Sequence, residues 1–108
     1  MHVAGLGVDD ARFLAELAER VHFDEQTEDA DIVFLAANEP ADVERLAELK
    51  EAIKRDGAVW VVYHKGQKEF GERDVLRLGL ESGTVDVKVV RFSDTHTATK
   101  FVIRRSER

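Results

Sequence analysis

The residues best equipped for chemistry gather in two short stretches of the second half of the chain, His64-Lys65-Gly66-Gln67-Lys68 and Ser93-Asp94-Thr95-His96-Thr97. Ammonium groups beside imidazole and hydroxyl donors suit a phosphate or a carboxylate, which asks for less geometric precision than catalysis. Asp94 stands close enough to His96 in sequence to orient an imidazole as a general base, yet no serine occupies a G-x-S-x-G elbow. The two histidines lie about 30 positions apart with no HxH or HExxH pair, so no metal site is expected. The plain alternative for each residue is an ordinary solvated loop.

A third candidate is the turn Gly5-Leu6-Gly7, with Asp24 and Glu25 about 20 residues further on. In a nucleotide-binding βαβ unit the glycines let the backbone approach a phosphate, and the acid binds ribose hydroxyls. The third glycine of the fingerprint is missing and the preceding strand is short. The reading is therefore either a glycine turn or the remnant of a nucleotide or S-adenosylmethionine site at Gly5, Gly7 and Asp24.

The elements that must position these groups follow from periodicity. "MHVAGLG" reads as a strand ending in a glycine turn, and "VDDARFLAELAERV" as a helix capped by Asp9 or Asp10, with Phe13, Leu14, Leu17, Ala18 and Val21 in one stripe. "RVHFDE" is a short second strand. "DIVFLAA" and "AVWVVY" are continuous apolar runs, the pattern of strands buried on both faces of a parallel sheet.

Between those two runs, "NEPADVERLAELKEAIKRDG" predicts one helix capped by Asn38 or Glu39, with Pro40 in its first turn and Gly57 at its end. Val43, Leu46, Leu49 or Lys50, and Ile53 step along it, and Glu51 and Arg55 have the spacing of a helical pair. "GERDVLRLGLESG" predicts a further helix, in which Gly79 costs about 1 kcal/mol of propensity and so implies close approach to the sheet.

"VDVKVVRFS" and "ATKFVIRR" alternate apolar with charged residues, as half-exposed strands do. Their short link forces an antiparallel pair, because a parallel return needs a dozen or more residues. That link contains no Gly, Asn or Pro. Asp94 and the neighbouring hydroxyls are expected to close the turn by bonding their own backbone.

The fold class is thus α/β: a Rossmann-like, mainly parallel sheet of about six strands, helices on both faces, and a C-terminal antiparallel hairpin. Ligands of open α/β sheets bind at the C-terminal edge of the strands. Gly7, Asn38, His64, Lys65, Lys68, Ser93, Asp94, Thr95 and His96 all fall there. Trp60 and Tyr63 read as core and core-rim residues of a central strand, and His2 as part of a frayed terminus.

Composition limits what such an edge could bind. The 108 residues suit one domain, read as spanning residues 1–108. No Cys is present, which excludes disulfides and thiolate chemistry. No apolar run approaches the roughly 20 residues of a membrane span, and no basic segment leads a long apolar one, so a cytoplasmic protein is expected. Residues 1–56 carry 15 acids and 6 bases, whereas residues 57–108 carry 7 acids and 10 bases. The net charge of −6 repels nucleic acid and anionic membranes at long range, so anion binding must be local to the second half.

The segments "GAVWVVYHKGQKE" and "LGLESGTVDVKVVRFSDTHTATKFVIR" resemble the C-terminal half of a family of small bacterial proteins, a domain without an assigned activity and with a methyltransferase-like Rossmann fold. The likeness covers about residues 57–105. The general plan also resembles class I S-adenosylmethionine-dependent methyltransferases. With the chain order, it implies a strand order of 2-1-3-4-6-5. The resulting expectation is a protein, monomeric or homodimeric, that binds a partner or small anionic ligand without catalysis. The alternative is a minimal methyltransferase using S-adenosylmethionine.

Overall fold

The computed structural model describes residues 1–7, 22–66 and 69–107. The helix expected over residues 9–21 and the candidate Lys68 lie outside the described residues.

Six strands form one sheet: β1 (His2–Leu6), β2 (His22–Asp24), β3 (Ile32–Ala36), β4 (Ala58–His64), β5 (Thr84–Arg91) and β6 (His96–Ile103). Their order is β2-β1-β3-β4-β6-β5, the expected one. The first four strands pair in parallel, β6 pairs antiparallel with β4, and β5 closes the edge antiparallel to β6. The architecture is a Rossmann-like α/β sheet with a C-terminal hairpin.

The described helices are α1 (Pro40–Glu44), α2 (Leu46–Ala52) and α3 (Glu72–Glu81). They cover the sheet face that carries Val33, Leu35, Val59, Val61, Tyr63, Phe101 and Ile103, and these side chains share one core with Val43, Leu46, Leu49, Val75 and Leu78. A hydrophobic stripe at helical spacing thus meets strand residues at spacing two.

The single helix expected from residue 40 to Gly57 is instead two short ones joined at Arg45, and it ends at Ala52. Ile53 is extended and buried, and the chain then turns as the Lys54 N–H donates to Ala30 O at 3.0 Å. Lys54 Nζ reaches Asp31 at 3.1 Å. Tertiary bonds to the loop before β3 therefore end the helix early, and Arg55 has no helical turn in which to face Glu51. Gly57 serves close packing: a Cβ there would sit 2.9 Å from the carbonyl oxygens of both Asp31 and Lys54.

Gly79 behaves as its cost implied. A Cβ at this position would overlap the ring of fully buried Phe101, so glycine lets α3 settle onto β6. The end of α3 is tied down by Thr84 Oγ1, which donates to Gly79 O at 2.7 Å.

Two strand readings need correction. The apolar run of β3 is buried on both faces only in pattern, since Val33 and Leu35 are fully buried whereas Ile32, Phe34 and Ala36 are half-buried. The alternation expected along β5 breaks at a β-bulge between Asp86 and Lys88, leaving Val87 54% and Val89 43% exposed. An edge strand with one neighbour can absorb an extra residue at little cost.

Candidate functional site

The end of β4 meets the start of β6, and His64 is the direct cross-strand partner of His96. Their rings lie with centroids 4.0 Å apart, tilted by 41°. The Lys65 N–H donates to Thr95 O at 3.0 Å, which extends the ladder one step past the strand end. His96 Nδ1 lies 2.8 Å from Thr95 Oγ1. Two stretches distant in sequence are thereby joined by backbone bonds and by the contact of two imidazole rings.

The hairpin tip is closed by Ser93. Its Oγ accepts from the Thr95 N–H at 3.3 Å and the His96 N–H at 3.1 Å. Of the groups expected to close the turn, a hydroxyl does so, whereas Asp94 gives its carboxylate to the Arg91 guanidinium. A hydroxyl one residue earlier reaches the inward amides, while the acid sits at the exposed apex.

Beside the histidine pair opens a recess of about 170 Å³, whose walls include Tyr63, His64, Lys65, Gly66, Glu72 and Thr97. Gly66 takes a φ of +70°, a conformation that side chains resist, and so lets the loop leave β4 sharply. Burial pushes the Tyr63 phenol above its ordinary value, the 3.1 Å bond to Thr99 Oγ1 pulls the other way, and the Glu72 charge adds to the rise. Tyr63 is therefore a neutral, buried hydrogen-bonding residue at the floor.

Thr97 belongs to the hydroxyl run expected at this edge, whereas Glu72 was not singled out from sequence. The signal was present for Glu72, because the first turn of a helix following a strand opens onto the strand's C-terminal edge.

The other expected residues form a separate group. Gly7 ends β1 with a φ of +76°, and a Cβ there would touch Ala36 Cβ at 3.4 Å. Gly5 is buried within β1, paired with Phe34. Asn38 follows β3 on the same edge and donates its N–H to Asp42 Oδ2 at 2.9 Å, helping start α1. The Asp24 carboxylate lies 2.8 Å from His2 Nε2 and accepts from the Gln26 N–H at 2.8 Å.

His2 is thus no frayed residue. Its N–H also donates to Asp31 Oδ2 at 2.7 Å, and its carbonyl accepts from Asp31 N at 2.8 Å. These bonds tie β1 to β2 and to the approach of β3.

A larger groove of about 530 Å³ lies elsewhere, between the end of α2 and the end of β6. Its Lys50, Lys54 and Arg55 face Asp29, Glu51 and Asp56, and the mixed charge gives it no preferred ligand sign. Among the described residues no three His, Cys, Asp or Glu side chains converge as a metal site, and no helix is long and apolar enough to cross a membrane.

No family model matches the chain, and no curated protein matches it. Among solved structures its fold is that of class I S-adenosylmethionine-dependent methyltransferases. The mitomycin 7-O-methyltransferase MmcR superposes with a TM-score of 0.68 at 13% identity, over 95% of this chain and 49% of that one. The TehB-like S-adenosylmethionine-dependent methyltransferase of Corynebacterium glutamicum matches with a TM-score of 0.65 at 11% identity, over 95% of this chain and 80% of that one. A pericyclic reaction enzyme matches as well, with a TM-score of 0.69 at 9% identity, over 94% of this chain and 42% of that one. The chain therefore spans about half the length or less of several of these proteins. At such identities the likeness establishes fold alone, and the last match illustrates how one scaffold hosts unlike chemistries.

Proposed function

We propose that this chain is a binding module that takes a small anionic ligand at the C-terminal edge of its sheet, through Lys65, His64 and His96. The observation that carries the proposal is the meeting of His64 with His96 at 4.0 Å, beside a lysine whose backbone is bonded to the hairpin. Lys65 supplies the formal charge, and the imidazoles and the hydroxyls of Ser93 and Thr95 supply further donors. Charge-assisted bonds of this kind are roughly twice as strong as neutral ones. Glu72 on the facing wall offsets part of the positive charge, which favours a singly charged carboxylate or phosphate over a polyphosphate. The resemblance of residues 57–105 to a small bacterial family takes in this whole site.

Titration with orthophosphate and with acetate, followed by amide and imidazole NMR signals, tests the reading. Shifts at Lys65, Thr95 and His96 that weaken in Lys65→Ala support it. Silence at about 1 mM of both anions, a concentration matching a binding free energy of about −4.1 kcal/mol, would sink it.

A second reading, a minimal methyltransferase, draws on the fold and on the open glycine turn at Gly7. It asks Asp24 to exchange its bond with His2 for a ribose hydroxyl. S-adenosylmethionine at 100 times its dissociation constant should then stabilise the chain by about 2.7 kcal/mol, and an unmoved melting temperature removes this reading.

A further inference from the structure

The sheet face opposite α1, α2 and α3 carries an unusual pairing. Lys88 and Lys100 are direct cross-strand partners on β5 and β6. Opposed residues of a ladder have Cβ atoms about 5 Å apart, and like charges so placed repel. Neither ammonium group has an ion-pair partner among the described residues. Lys100 is also the direct partner of Trp60 on β4, and its Nζ stands 5.9 Å from the indole centroid. One rung thus reads Trp60, Lys100, Lys88 across three strands.

Aliphatic residues flank this rung. Val102 pairs with Val85 on one side, and Ala98 pairs with Val90 on the other. Val85, Val90 and Val102 are half-buried, as are Trp60 and Lys100, while Lys88 is exposed. The surface therefore sets two lysines, neither ion-paired among the described residues, among aliphatic side chains toward the β5 edge.

We propose that this face of β4, β6 and β5 docks an acidic amphipathic helix of a partner protein. Three neighbouring strands span about 10 Å, close to the 10–12 Å diameter of a helix with its side chains. An apolar helix stripe would lie against the valines and the indole, and carboxylates one turn apart would reach Lys88 and Lys100. Trp60, half-buried on β4 at one end of the rung, has the character of an interface anchor. A nucleic acid fits less well, because a phosphodiester chain offers nothing to the valines. The surface is distinct from the recess at His64 and Lys65, so it does not depend on the ligand proposed there.

Trp60 is the chain's single tryptophan, which makes its fluorescence a direct reporter of this face. The probe is a helical peptide of about 18 residues, long enough to hold helix, with a leucine stripe flanked by glutamates. Its control carries lysines in place of the glutamates. The expected result is a saturable change in Trp60 emission with the acidic peptide, amide shifts along β5 and β6, loss of affinity with added salt, and at least tenfold weaker binding to the Lys88→Glu, Lys100→Glu double variant. Lys65→Ala should bind the peptide like the unaltered chain.

Several outcomes overturn the proposal. One is an acidic peptide that leaves Trp60 unchanged, and another is equal binding of the basic peptide or of the double variant. Self-association in sedimentation that disappears in the double variant would assign the face to a second copy of this chain. A single-stranded oligonucleotide that moves Trp60 at lower concentration than the peptide would assign it to nucleic acid.

Discussion

The two faces of the sheet are built from the same strands by alternation, yet different physics specifies each. On the helix side, Val33, Leu35, Val61 and Phe101 are wholly buried, and glycine at 79 makes room for an aromatic ring. Shape decides there, because close-packed interiors register changes of a single methylene. On the opposite side Phe34, Trp60 and Val102 are half-buried and two lysines confront one another. Ala58, Val62 and Ala98 of that same face are buried, so charge governs the side toward β5 rather than the whole of it.

The sharpest way to expose the contrast is to alter both partners of the tightest contact. Phe101→Ala should cost about 3–5 kcal/mol in denaturant unfolding, the usual loss for a large buried ring. Gly79→Ala should also destabilise, since overpacking of about 1–3 kcal/mol exceeds the roughly 1 kcal/mol gained in helix propensity. Combining Gly79→Ala with Phe101→Leu should cost less than the sum of the single changes, because the added methyl then has room. Additive losses would mean that a methyl at residue 79 and the ring of residue 101 do not compete for the same space.

The hairpin tip belongs to neither face and gives an intermediate scale. Ser93→Ala removes the acceptor for two amides and should cost about 1 kcal/mol. Asp94→Ala removes only an exposed ion pair and should cost less than about 0.5 kcal/mol. Equal losses in thermal melts would restore the acid as the residue that closes the turn.

On the opposite face the sign should reverse. Lys88→Thr relieves the cross-strand repulsion and suits a strand, so it should stabilise by about 0.2–1 kcal/mol in low salt, with the gain shrinking as salt is added. A loss would imply that Lys88 already has a counter-charge in the free protein.

The smallest effect is expected from pH, at the loop that ties β1 to β3. The His2 amide, followed by the Lys54 side chain, holds the Asp31 carboxyl below its ordinary value. A carboxyl lowered in the folded state adds stability above its unfolded value of about 3.9, and that stability disappears as pH falls through the lower folded value. Melting temperature should therefore decline below about pH 4, and less steeply in Asp31→Asn. Parallel acid limbs would show that Asp31 does not contribute.

Much of this was legible in sequence wherever one residue had one dominant constraint. The short link between "VDVKVVRFS" and "ATKFVIRR" admitted only an antiparallel pair, and Gly79 could be tolerated in a helix only for a packing reason. The meeting of His64 with His96 was implied by topology, since both fall at one sheet edge. Their direct registry was not, because pairing register depends on turn geometry that Ser93 and Asp94 could each have set.

Helix length between β3 and β4 misled for a related reason. Local propensity favoured continuing past Ala52, but bonds from Lys54 to Ala30 and Asp31, remote in sequence, pay more. The Lys88 and Lys100 opposition was hidden by the bulge, which shifts the partner of every β5 residue beyond Asp86. Alternation alone cannot reveal where an extra residue enters a strand.

That bulge has a further consequence. β5 leaves one side of its backbone unpaired, and it carries the exposed valines 87 and 89, a combination that invites other chains to add as strands. A kinked rim presents donors and acceptors out of step with a straight incoming strand. Deleting Val87 would straighten the rim, and the same chain should then be more prone to form fibrils or sediment on storage, with its folded core unchanged.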